Sequence, residues 1–111
     1  MKILSIMTID PTAMQPPTPE QMERMGKLID DFKRRGALID TGGAMPGSLE
    51  MKIARKGDSY SVTDGPFTEA KEVVGGYALM EVSDREEAIA LTREFLDLVG
   101  NATCHIHEVS S

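Results

Sequence analysis

Two helix starts divide the chain and constrain its fold more than any other feature. In Thr18-Pro19-Glu20-Gln21, the threonine can cap a helix, the proline suits the first helical position and the glutamine completes a capping box. Ser83-Asp84-Arg85-Glu86 has the pattern of a second capping box. Each start follows a β-like stretch and precedes apolar residues at helical spacing. The chain therefore predicts two helices, each placed between two strands.

The apolar spacing also predicts which side of each helix is buried. The first helix is expected to end at Lys33-Arg34-Arg35-Gly36, because cations favour the negative helix pole and glycine supplies a left-handed cap. The second is expected to end at Gly100-Asn101. The predicted stripe of the first helix is Met22, Met25, Ile29 and Phe32, with Leu28 beside it. That of the second helix is Ala88, Thr92, Phe95 and Val99, flanked by Ile89 and Leu96.

The remaining β-like stretches predict six strands, at residues 2–9, 37–41, 49–56, 59–63, 73–82 and 103–109. Gly57-Asp58 is a two-residue turn signal, so the third and fourth strands are expected to form a hairpin. Arg55 and Lys56 near its tip are interpreted as solvated charges that discourage unwanted strand pairing. Gly75 and Gly76 indicate a close backbone approach or a bulge in the fifth strand.

The order of these elements predicts the architecture. A strand, helix and strand are followed by the hairpin and then by a second strand, helix and strand. Two right-handed crossovers place both helices on the same face of an antiparallel sheet. We therefore predict an α+β, ferredoxin-like fold with the order βαββ(hairpin)βαβ, in a single domain spanning residues 1–111.

The apolar residues expected on the second face of this sheet indicate that another protein subunit covers it. Two helices cover one face only, and the other face would carry Leu4 or Ile3, Tyr77 or Ala78, and the neighbours of His105. These residues are too apolar to be left in water. We therefore predict a homodimer with twofold symmetry, in which the helix-free sheet faces meet.

Composition and charge exclude several functions. The formal net charge of −6 argues against nucleic-acid binding, which needs a cationic surface. No apolar run approaches the ~20 residues that span a bilayer, and residues 1–10 are typical of a strand rather than a secretory signal. Cys104 is the only cysteine, which fits a reducing compartment. A cytoplasmic protein without membrane or nucleic-acid partners is predicted.

The loop before the fifth strand is the first candidate site. One interpretation is that Asp64 and Phe67 shape a pocket, while Glu69 and Lys71 form an acid–base or substrate-anchoring set with Glu72. The structural alternative is that the aspartate satisfies its own turn, the phenylalanine fills the core and the charges form ion pairs. The sequence leaves both interpretations open.

The last predicted strand carries the two histidines. His105 and His107 lie on one face, about 7 Å apart by the strand rise, and would share a metal if Asp40 or Glu81 came near. Nothing in the sequence supplies such a ligand at a defined spacing, so no metal or other cofactor is predicted, and packing at the dimer face is the alternative. The aspartate is either a pocket carboxylate or a turn cap. Cys104 alternates onto the opposite, helix-covered side and is interpreted as a small buried hydrophobe.

Residues 64–72, Asp-Gly-Pro-Phe-Thr-Glu-Ala-Lys-Glu, resemble the signature of the DGPF domain family, part of the YCII-related group. Gly75-Gly76-Tyr77 is similar to the family's usual Gly-Gly-aromatic. The first strand, the helix start at residues 18–22, and residues 36–40 with Met45-Pro46 also resemble it. The resemblance therefore covers essentially the whole chain.

The resemblance implies a ferredoxin-like α/β barrel made by a dimer, without a well-established reaction. Family members often resemble proteins encoded beside alternative sigma factors, which would imply regulation or stress response. The wider group includes proteins with a proposed His-Asp pair in a cleft, its histidine near the start of the first helix. This chain has Gln21 and Met22 there.

Together these features predict a small homodimer that binds a small molecule in a cleft near the Asp64–Glu72 loop, as a binding protein or as an enzyme of unknown reaction. The alternative is a non-catalytic regulatory or interaction protein linked to sigma-factor signalling. No catalytic residue is assigned. The candidate ligand-binding residues are Asp40, Asp64, Phe67, Glu69, Lys71, Tyr77, His105 and His107.

Overall fold

The computed structural model describes residues 1–13, 15–44, 49–65 and 72–110. All eight predicted elements are present there, and their ends differ from the predicted ones by at most about two residues. They are β1 (Lys2–Ile9), α1 (Pro19–Arg34), β2 (Leu38–Gly43), β3 (Met51–Lys56), β4 (Ser59–Asp64), β5 (Val73–Glu81), α2 (Arg85–Val99) and β6 (Thr103–Glu108).

Four strands form an antiparallel sheet in the order β2-β5-β1-β6. β1 pairs with β5 on one side and with β6 on the other, so the first strand is an inner strand, as predicted. Both helices lie on one face of this sheet. The fold is therefore α+β and ferredoxin-like, which confirms the predicted class.

Helix α1 begins as the sequence indicates. The Thr18 side chain accepts a hydrogen bond from the Gln21 amide at 3.1 Å, and the Gln21 side chain accepts one from the Thr18 amide at 2.9 Å. These two bonds satisfy helix-end groups that would otherwise have no partner. Gly36 follows the last turn with φ 75°, which is the left-handed cap that was predicted.

Helix α2 begins one residue later than the predicted capping box. Asp84, not Ser83, is the N-cap, and its carboxylate accepts a 2.8 Å hydrogen bond from the Glu87 amide. The Glu87 side chain in turn binds the amide and hydroxyl of Ser83. Both residue types can cap a helix; here the cap is Asp84, while Ser83 binds the Glu87 side chain.

The core lies between the helices and the sheet face that they cover. Its buried apolar residues are Ile3, Phe32, Ala37, Leu38, Met80, Val82, Ala88 and Leu91. Two details of the predicted stripes are wrong. Met22 is 62% exposed, so the buried stripe of α1 starts at Met25. Leu91, which the prediction omitted, is 2% exposed, whereas Ile89, predicted to flank the stripe, is 39% exposed.

Strands β3 and β4 form a separate two-stranded sheet, the predicted hairpin. Its turn has Gly57 at φ 62°, a backbone conformation that glycine adopts without strain. Within the described residues, neither helix is long and apolar enough to cross a lipid bilayer.

Candidate functional site

The helix-free side of the four-stranded sheet brings together most of the described candidate residues, and we call it the open face. Strand register places two rows of side chains across it. The rows are Gly42, Tyr77, Ile6 and His105, and then Asp40, Leu79, Leu4 and His107. Leu4, Ile6 and Leu79 are partly buried and form an apolar floor, while Tyr77 is 41% exposed.

A bulge in β2 brings Asp40 to this face. Leu38 lies opposite Met80, but Asp40 lies opposite Leu79, so Ile39 is an extra residue in the ladder. Without the bulge, strict alternation would pair Asp40 with Ala78 on the helix-covered face.

Asp40 binds Tyr77 on the open face. The Tyr77 hydroxyl donates a 2.8 Å hydrogen bond to Oδ2 of Asp40, and this bond raises the pKa of Tyr77 above 10.0. The ring lies across Gly42, where a Cβ would be 2.8 Å from Cε1 of the tyrosine. The hydroxyl of Thr41 donates to the Tyr77 carbonyl oxygen at 2.8 Å and holds the two strands together at this point. Tyr77 is therefore a positioned hydrogen-bonding group.

A second bulge, at Gly75, brings another carboxylate to the open face. Met7 lies opposite Gly76 and Thr8 lies opposite Val74, so Gly75 is an extra residue in β5 with no partner in the ladder. The bulge shifts the alternation of the residues before it, so that Glu72 lies beside Thr8. This agrees with the bulge that the Gly-Gly pair predicted.

Thr8 joins Glu72 to His105. Its hydroxyl donates to Oε2 of Glu72 at 3.3 Å and lies 3.1 Å from Nε2 of His105. Because the hydroxyl has a single hydrogen, which goes to the carboxylate, Nε2 of the histidine is the donor in the second contact. The result is a hydrogen-bonded relay, Glu72–Thr8–His105. Sequence analysis did not single out Thr8, and only the strand register, which places it diagonally from His105, reveals it.

The other candidate residues are placed differently. His107 lies on the open face opposite Leu4, and its side chain has no hydrogen bond or ion pair with another described residue. Asp64 ends the hairpin strand β4, exposed and opposite Met51, not on the open face. Phe67, Glu69 and Lys71 lie outside the described residues, and so does the centre of the predicted cleft.

The histidine pair does not form a metal cluster in the part of the chain that the structure describes. No group of three or more His, Cys, Asp or Glu side chains there is arranged to hold a metal ion. His105 and His107 lie on one face, as the alternation predicted, but His105 is hydrogen-bonded to Thr8 instead.

Cys104 lies on the helix-covered side, as predicted. It lines an apolar cavity of about 60 Å³ between the helices and the sheet, together with Ser5, Met7, Met25 and Phe95. Burial raises the pKa of the Cys104 thiol above 9.0, and a hydrogen bond with Ser5 partly opposes that change. The thiol is therefore protonated at neutral pH and unsuited to act as a nucleophile.

The fold and this face define a class of protein: a ferredoxin-like α+β domain with one helix-covered sheet face and one open face that carries hydrogen-bonded polar groups. The model of the YCII-related domain family matches residues 1–95. The chain belongs to this family. No curated protein matches it.

Proposed function

We propose that the protein is a homodimer that binds a small molecule on the open face of its sheet. Helices α1 and α2 cover only one face, while Leu4, Ile6, Leu79 and the half-exposed Tyr77 lie on the other. A sheet face of this kind is stable in water only if it is polar. An identical subunit that presents the same face would bury the apolar floor by twofold symmetry.

The observation that carries the proposal is the pair of bulges. Each bulge places a carboxylate, Asp40 or Glu72, on the face that carries the apolar floor of Leu4, Ile6 and Leu79. Each carboxylate then accepts a hydrogen bond from a side chain of that face, Tyr77 or Thr8. Bulges are frequent beside binding and active sites because they re-aim side chains. Two bulges with the same effect support a site rather than an accidental irregularity.

The chemistry of these groups suggests the class of ligand. Asp40 and Glu72 accept hydrogen bonds, and neither forms an ion pair with another described residue. Tyr77 and His105 lie on either side of Ile6, so their backbones are about 10 Å apart by the strand spacing. We infer a ligand with hydroxyl or amine groups at its ends and an apolar middle, such as an amino alcohol or a diamine.

A second candidate function is a non-catalytic interaction protein. It is favoured by the fact that both carboxylates already bind neighbouring side chains. In that case the polar groups would serve only to orient the open face within an assembly.

A thermal-shift screen of amino alcohols, diamines and sugars tests the first proposal. A ligand at one hundred times its Kd would stabilise the protein by about 2.7 kcal/mol, a shift on the order of 10 °C. Tyr77→Phe is expected to reduce the shift, and Ser61→Ala, which removes an exposed hydroxyl away from the open face, serves as the control. Equal shifts in both variants, or no stabilising compound in the screen, would favour the interaction protein.

A parallel screen of divalent metals tests the histidine pair. A screen that finds no thermal shift would contradict a metal site at that pair.

A further inference from the structure

The β3–β4 hairpin, Met51–Asp64, is an arm that pairs with no other strand of the described chain. Its six cross-strand pairs run from Met51–Asp64 to Lys56–Ser59, and every residue of both strands is exposed. A lone two-stranded hairpin is marginally stable in water. The arm therefore needs a surface outside its own two strands.

The two faces of the arm differ sharply. Register places Met51, Ile53, Tyr60 and Val62 on one face, with the charged Asp64 and Arg55 at its two ends, and the four apolar side chains are between 44% and 67% exposed. The opposite face pairs Lys52, Ala54 and Lys56 with Thr63, Ser61 and Ser59. An exposed strand pair with such an apolar face is typical of a surface that binds another protein chain.

The hairpin strands have extensive contacts only with each other among the helices and strands, and the dimensions of the chain agree with an arm that extends from the body. The radius of gyration is 15.7 Å, compared with about 13 Å expected for a compact domain of this length. The principal extents are 45 × 35 × 19 Å. An arm that folded back on its own sheet would bring the radius closer to the compact value.

We propose that the apolar face of the arm packs on a second copy of this chain, at the rim of that copy's open face. This rests on the homodimer of the proposed function and adds a second contact to it. The same chain then supplies both unpartnered apolar surfaces, the arm and the open face, and a twofold dimer satisfies each arm with the other subunit.

Charge supports an identical partner. The arm carries three basic and two acidic side chains, while the rest of the chain carries nine basic and sixteen acidic ones. Arg55 lies on the apolar face of the arm, stacked 5.6 Å from the centre of the Tyr60 ring. The open face presents the carboxylates of Asp40 and Glu72. Arg55 donates a hydrogen bond to the Gly57 carbonyl oxygen and lies 3.9 Å from a carboxylate oxygen of Asp58, at the tip of the arm. A weakly basic arm is electrostatically complementary to an acidic body.

Two matched double variants test the arm. Ile53→Glu with Val62→Glu alters a directly opposed pair on the apolar face, and Ala54→Glu with Ser61→Glu alters the neighbouring pair on the polar face. Both add the same charge at facing positions of the same exposed strands. Sedimentation equilibrium measures the dissociation constant of each dimer. We expect at least a tenfold weaker dimer for the apolar-face variant and less than a threefold change for the control.

Hydrogen exchange of the wild-type protein gives a second readout that needs no substitution. Arm amides are expected to be protected at concentrations above the dissociation constant and to exchange rapidly below it. If the double glutamate variant unfolds the arm, the uncharged double variant Ile53→Ser with Val62→Ser is used in its place. The same weakening of the dimer is expected for it. Equal dissociation constants for both double variants, or arm protection independent of concentration, would overturn the arm proposal and leave the open-face dimer standing. A wild-type protein that is monomeric at every concentration tested would contradict both the arm proposal and the open-face dimer.

Discussion

The hydroxyl of Tyr77 donates a 2.8 Å hydrogen bond to Oδ2 of Asp40, although the two residues are 37 positions apart in the chain. They meet because a bulge at Ile39 turns the carboxylate to the open face. The same geometry recurs at Gly75, where a bulge brings Glu72 to Thr8. Irregularities in two ladders thus produce the polar groups of the candidate site.

Replacing Asp40 by Asn is expected to lower the pKa of Tyr77 towards 10.0, because the carboxylate both accepts the phenol hydrogen and disfavours the phenolate. The hydrogen bond stabilises the protonated phenol, so its contribution to folding is complete below pH 10.0. It is lost as the pH rises through the higher pKa of the folded protein.

Tyrosinate absorbance against pH measures this pKa directly, because the chain has two tyrosines and no tryptophan. A Tyr60→Phe background leaves Tyr77 as the single tyrosine. An unchanged midpoint after the Asp40 substitution would show that the hydrogen bond is not formed in solution.

Replacing Thr8 by Val is expected to break the relay between Glu72 and His105 without unfolding the protein, since both contacts are solvent-exposed. In the wild type, ¹⁵N NMR of neutral His105 should show a hydrogen on Nε2, which donates to Thr8. In the variant, the tautomer balance of His105 should move towards that of His107, which is the internal reference on the same strand. Identical spectra of His105 in both proteins would contradict the relay.

Leu91→Ala is expected to destabilise the protein by about 2–5 kcal/mol, because it empties the most deeply buried position of α2. Ile89→Ala, two positions earlier on the same helix and 39% exposed, should cost about 1 kcal/mol or less. Urea unfolding of the two variants measures both values. A larger loss at Ile89 would mean that the helix is rotated relative to the sheet.

Two glycine substitutions should act in opposite directions. Gly26→Ala lies inside α1, where an added Cβ meets nothing within 4 Å, so it should stabilise the fold by about 0.5–1 kcal/mol. Gly76→Ala would place a Cβ 2.8 Å from the Gly42 carbonyl oxygen and should cost about 1–3 kcal/mol. Thermal unfolding compares the two, and a neutral Gly76 variant would contradict the close approach of β2 and β5.

The order and ends of the helices and strands could be predicted because they depend on local signals. Thr18, Gln21 and Gly36 act on groups within a few residues of themselves, so the sequence contains the whole interaction. The buried side of α2 could be predicted only in part. Ala88, Thr92 and Phe95 are buried or partly buried, as predicted, but the apolar stripe is wide and only packing against the sheet shows that Leu91 belongs to the core.

The candidate site could be predicted only in part. Alternation along β6 correctly places His105 and His107 on the face opposite Cys104. The contacts of Asp40 and Glu72 depend on register between strands distant in sequence and on bulges, of which only the Gly75-Gly76 pair gives a local sign. Ile39 carries no such sign, so the meeting of Asp40 with Tyr77 could not be foreseen.

The mass of the wild-type protein in solution tests the central claim most directly, because both proposals require the open face to be covered by a second copy. Multi-angle light scattering at micromolar concentration is predicted to give twice the chain mass of 12.1 kDa. A mass of one chain at every concentration tested would contradict the account and leave the apolar floor of the open face unexplained.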